Sequence, residues 1–108
     1  MTDFYNQTDA KVQRAKLYGL KKDLLDSFFA FNSRVFEEGA LPVKTKELIA
    51  VAAAHITRCP YCIAGHTRGA KKVGATDEEI AEAIFVAIAL NAGAPLAHSN
   101  IAMMALEE

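Results

Sequence analysis

The run TKELIAVAAAHITRC, residues 45–59, ends against Pro60, and this junction constrains the fold more than any other feature of the chain. Alanine is the strongest helix former, and Leu48, Ile49, Ala52 and Ile56 mark one apolar face. Proline cannot sit in a helix interior, because it lacks the N–H and crowds the preceding turn. It does suit the first turn of a new helix. The chain is therefore expected to break at Arg58–Cys59 and to restart at Pro60. The new helix should run to about Val73 and close at Gly74. Both cysteines of the chain, Cys59 and Cys62, then fall at the start of that second helix.

The flanking segments are also helical in pattern. After a polar tail of residues 1–7, Leu17, Leu20, Leu24, Phe28, Phe31 and Val35 recur at steps of three and four. This predicts one long helix from Thr8, running through Gly19 and ended by EEGALPVK, with Gly39 as its cap and Pro42 beyond. In ATDEEIAEAIFVAIALNAG, Thr76 and Glu79 form a capping box ahead of Ile80, Ile84 and Ile88. Asn91 to Pro95 should end that helix, and LAHSNIAMMALEE should form a short last one. No segment alternates like a strand and none repeats. The expected fold class is all-α, one domain of about five helices over residues 8–108.

Composition excludes some partners. Hydrophobic residues make up 52% of the chain, and alanine supplies much of the excess, so helices can approach closely. Lys+Arg 12 against Asp+Glu 13 gives a net charge of -1, which calls for no nucleic acid and no acidic membrane surface. The start MTDFYNQTDAK has neither the basic nor the apolar region of a signal peptide. The apolar stretches are expected to fall short of a bilayer span. These readings together predict a cytoplasmic protein. In such a reducing compartment a CxxC pair is catalytic or metal-binding more often than a structural staple.

The thiolate, not the thiol, is the nucleophile, and the free amides of a helix N-terminus stabilise it. Helix position alone favours Cys59 as the attacking group. His66, four residues after Cys62, shares a face with it and can take its proton, which favours Cys62. A specific base outweighs a diffuse dipole, so Cys62 is the expected nucleophile. Cys59, at the loop end, is the better placed to swing into a disulfide. A histidine base usually needs an orienting carboxylate, and Glu47 is the candidate if the two helices pack antiparallel. Glu47 has an equally simple reading as favourable negative charge in a first helical turn.

Other readings of the same residues remain open at this point. His55, Cys59, Cys62 and His66 have the donor types for a tetrahedral zinc site, within a non-catalytic helical oligomer. A thioredoxin-type dithiol would follow a strand, and here it follows a helix, although dithiol exchange as chemistry survives. His55 alone most simply bonds backbone or water, with an auxiliary role as the alternative. His98 most simply packs or contacts another subunit, and Lys71 and Lys72 form a solvated face. Phe28, Phe29, Phe31 and Phe36 are core or interface candidates that could also line an apolar pocket. Tyr61 is expected to pack over the dithiol with its hydroxyl available to a bound peroxide or water.

KELIAVAAAHITRCPYCIAGH, a glutamate, a CxxC pair and a histidine four residues on, resembles the AhpD-like alkylhydroperoxidase core of the carboxymuconolactone decarboxylase superfamily. GATDEEIAEAIFVAIALNAGAP resembles the helix that follows, so the likeness covers residues 41–95. It implies an all-helical protein that assembles as a homo-oligomer, commonly a trimer or hexamer. It also implies a peroxidase with Cys62 attacking the hydroperoxide, Cys59 resolving, and Glu47 and His66 as the proton relay. No metal or organic cofactor is implied. The reductant would be a dithiol, of lipoyl type for instance, and the alternative is a dithiol exchange protein with little peroxidase activity. Two departures stand out. Tyr61 occupies a position that is histidine in well-studied relatives, and this chain carries one core where those carry two halves.

Overall fold

In the computed structural model, which describes residues 3 and 5–108, the chain has five helices and no strand among the described residues. It divides into two compact units, Met1–Gly39 and Ala40–Glu108.

The first unit holds α1 (Gln7–Leu20) and α2 (Lys22–Val35). Asn6 caps α1, its side chain accepting the Asp9 N–H at 3.1 Å. The single long helix expected from Thr8 is thus broken at Lys21, which leaves helical geometry at φ −143°, ψ 55°. Gly19 weakens the helix just before this point, and side chains hold the joint. The Tyr18 hydroxyl donates to Asp26 Oδ1 at 2.6 Å, and Lys22 Nζ pairs with Asp26 Oδ2 at 2.7 Å. α2 ends at Val35, capped by Phe36, so Gly39 is not the cap. Tyr18 and Phe29 lie 6.2 Å apart between ring centres, and Phe28 and Phe29 5.8 Å apart.

The second unit holds α3 (Val43–Thr57), α4 (Pro60–Lys72) and α5 (Asp77–Ala105). α3 packs against both α4 and α5. The seam is small-residue packing: Val51 and Ala70 are fully buried, Ala75 and Ile80 nearly so, with Leu48 and Ile84 against them. Burial of this apolar face holds the three helices together. Gly74, at φ 94°, ends α4 as expected, with the Ala75 N–H reaching back to the Ala70 carbonyl at 2.9 Å. Thr76 and Glu79 form the anticipated capping box. Glu79 also pairs with Lys44 at 2.8 Å, tying the start of α5 to the start of α3.

α5 corrects two expectations. It runs unbroken through Pro95 to Ala105, so the stop at 91–95 and the separate last helix do not occur. No Asp, Glu, Lys or Arg lies between Glu82 and Glu107, and the best 18-residue window has a mean hydropathy of 1.8. By length and composition alone α5 could cross a bilayer, contrary to the expected shortfall. Much of its length is exposed, including Phe85, Leu90, Leu96, His98 and Ile101.

Candidate active site

The site is built at the α3–α4 junction. α3 ends where Arg58 turns into the left-handed region, φ 59° and ψ 42°. Arg58 is the one non-glycine residue with positive φ among the described residues. The turn lets the Cys59 N–H reach the Ala54 carbonyl at 3.1 Å, which satisfies the end of α3. Cys59 is then the N-cap of α4 and Pro60 its first residue, so the expected break holds. The Cys62 N–H donates to Cys59 Sγ at 3.2 Å, a cap in which sulfur takes the place usually held by oxygen.

Cys59 and Cys62 are joined in a disulfide, their Cα atoms 5.3 Å apart. This separation suits a disulfide without backbone movement. Cys62 is exposed, while Cys59 and Tyr61 are half-buried.

His66 follows one turn after Cys62 on α4, and α3 brings Glu47 to it. His66 Nδ1 and Glu47 Oε2 are 2.8 Å apart, with Glu47 the more buried of the two. An ionised carboxylate only accepts, so Nδ1 carries the proton and donates. In the neutral ring the basic lone pair then lies on Nε2. Glu47 lies beyond the first turn of α3, which has no acidic residue. Negative charge at a helix start therefore does not account for Glu47.

The four-residue zinc arrangement is not assembled. Both sulfurs are spent on each other, and His66 Nδ1 faces Glu47. His55 Nδ1 donates to the Val51 carbonyl at 2.7 Å, the simple backbone bond expected of it. Among the described residues, no three His, Cys, Asp or Glu side chains converge as metal ligands.

One residue at this site drew no notice in the sequence. Gly69 lies three residues after His66 on α4 and abuts the Glu47 carboxylate. Its only signal is that i,i+3 step, which places it on the His66 face.

The model of the carboxymuconolactone decarboxylase family matches residues 22–104, most of the chain. The chain belongs to this family. This agrees with the AhpD-like carboxymuconolactone decarboxylase superfamily that the glutamate, CxxC and histidine spacing implied. An uncharacterised protein encoded in the cox locus of Paracoccus denitrificans is 54% identical over 83 residues, covering 77% of this chain and 75% of that one. A carboxymuconolactone decarboxylase family protein of Legionella pneumophila, solved in its apo form, is 36% identical. It superposes with a TM-score of 0.72 over 94% of this chain and 90% of its own. A family member from Thermotoga maritima, for which involvement in antioxidative response has been raised, is 38% identical with a TM-score of 0.61. That match covers 78% of this chain and 87% of the other.

Proposed function

We propose that this chain is a thiol-dependent peroxidase that cycles its Cys59–Cys62 pair between dithiol and disulfide. The observation that carries the reading is the Glu47–His66 hydrogen bond, 2.8 Å long, beside a formed CxxC disulfide. A half-buried carboxylate that bonds an imidazole one helical turn from an exposed cysteine suits a general base for that cysteine. The Thermotoga relative for which involvement in antioxidative response has been raised supports the same reading.

In the proposed cycle the Cys62 thiol gives its proton to His66, and the thiolate attacks the terminal peroxide oxygen. An S–O bond forms and the O–O bond breaks. The leaving alkoxide recovers the proton from His66 and departs as an alcohol, leaving Cys62 as a sulfenic acid. The Cys59 thiol then attacks that sulfur; the S–S bond forms, the S–O bond breaks, and water leaves. A dithiol reductant of lipoyl type, itself oxidised to a disulfide, restores both thiols. In this reading Tyr61, half-buried and between the two cysteines in sequence, offers its hydroxyl to the peroxide or to water. Dithiol exchange with other disulfides is the second reading, favoured by the exposure of Cys62.

The working form in this proposal is a cytoplasmic homo-oligomer, a trimer or hexamer, in which further copies cover the exposed apolar length of α5. Incubating reduced protein with an organic hydroperoxide and mapping its thiols by mass spectrometry tests the chemistry. A Cys59–Cys62 disulfide with matching peroxide loss is expected. No disulfide would sink the peroxidase reading, and turnover of disulfides but not peroxides would leave dithiol exchange in its place.

A further inference from the structure

The Glu47 carboxylate is held from two sides. His66 Nδ1 bonds one oxygen, and on the same face of α4 the next neighbour is a residue with no side chain. A β-carbon on Gly69 would stand 2.8 Å from Glu47 Oε2, 3.0 Å from Cδ and 3.2 Å from Oε1. All three carboxylate atoms would then be closer than ordinary contact, and the closest is the oxygen that bonds His66. Gly65, one turn earlier on α4, has nothing within 4 Å of the same position. Glycine in a helix interior is less favourable than alanine. At Gly69 the space gained is filled by the carboxylate.

We propose that Gly69 is a positioning residue: its missing side chain seats the Glu47 carboxylate against His66 Nδ1. The inference rests on the peroxidase reading for what the Glu47–His66 pair does to Cys62, while the seating itself is independent of substrate. Glu47 ends in a flexible side chain. The cheapest response to a methyl group at Gly69 is therefore rotation of that carboxylate away from His66. Separation of α3 from α4 would disturb the buried Val51–Ala70 packing and cost more. What Gly69→Ala should lose is one hydrogen bond, with the fold retained.

The test compares full-length wild type, Gly69→Ala, Glu47→Ala, the double variant, and Gly65→Ala as a helix-propensity control. The first readout is the 15N NMR signature of the His66 ring, which reports which nitrogen carries the proton. The second is the rate of Cys62 alkylation in reduced protein carrying Cys59→Ser. Gly69→Ala is expected to give the ring signature of Glu47→Ala and an alkylation rate about ten-fold lower at neutral pH. Adding Gly69→Ala to Glu47→Ala should change neither readout and should raise the Tm. Gly65→Ala should keep the wild-type signature. A wild-type ring signature in Gly69→Ala would overturn the proposal, as would losses that multiply in the double variant. An equal fall in Tm with and without the Glu47 carboxylate would also overturn it, by pointing to helix packing alone. If the ring signatures follow expectation while wild type consumes no peroxide, the seating role stands and the peroxidase reading fails.

Discussion

Glu47 and His66, nineteen residues apart in the chain, meet at 2.8 Å across the packing of α3 on α4. Neither helix makes this bond alone, so it depends on the α3–α4 seam staying closed. Glu47→Gln keeps the shape and removes the charge that fixes the imidazole. If the proposed peroxidase cycle operates, peroxide consumption is expected to fall about 10- to 100-fold, with the helical circular dichroism unchanged. Steady-state peroxide assays on the two proteins make the comparison.

The cap at Cys59 gives a stability prediction separate from redox chemistry. In reductant, Cys59→Ser keeps a side chain that can accept the Cys62 N–H, and Cys59→Ala does not. Both lack the disulfide, so the comparison isolates the cap. The alanine variant is expected to be less stable than the serine variant by about 1 kcal/mol in urea unfolding.

Arg58 holds a left-handed conformation that a β-carbon makes unfavourable by about 1–2 kcal/mol. Arg58→Gly is therefore expected to be neutral or stabilising by about 1 kcal/mol. Arg58→Val, branched at the β-carbon, should destabilise by about 1–2 kcal/mol. Thermal unfolding should rank the three as glycine, arginine, valine.

Acid should loosen the start of α5. The hydrogen bond from Lys44, then that from the Thr76 backbone, hold the Glu79 carboxyl below the ordinary value of 4.5. A carboxyl with a lowered folded-state pKa stabilises the fold at pH above its ordinary value. That contribution fades as pH falls through the lowered value. The stability gap between wild type and Glu79→Gln should therefore shrink on acidification from about pH 6 to about pH 3. Urea titrations across that range would show it.

Local chemistry was the legible part of the sequence. Pro60, the Thr76–Glu79 box and Gly74 each act through the chain within a few residues, and all three stand where their patterns put them. The break at Lys21 was hidden because it carries no proline and is held by Tyr18 and Lys22 side chains on Asp26. Pro95 misled in the opposite sense. A proline in a helix interior is unfavourable by about 3 kcal/mol, yet helix formers on both sides carry α5 through it. The helix count matched because one unforeseen break offset one expected break that is absent. At the site, the joint spacing of Glu47, the cysteines and His66 was readable. Gly69 was not, since what matters about it is what another helix brings near.

Cys59 serves two helices at once: its N–H closes α3 on the Ala54 carbonyl, and its sulfur opens α4. Oxidised and reduced chains therefore need not be equally stable. Around a closed thermodynamic cycle, any difference between them equals the free energy by which folding shifts reduction of the Cys59–Cys62 pair, relative to the unfolded chain. The reduction potential is thus partly a property of helix packing. A substitution in the α3–α4 seam that favours one redox state can retune it without touching either sulfur.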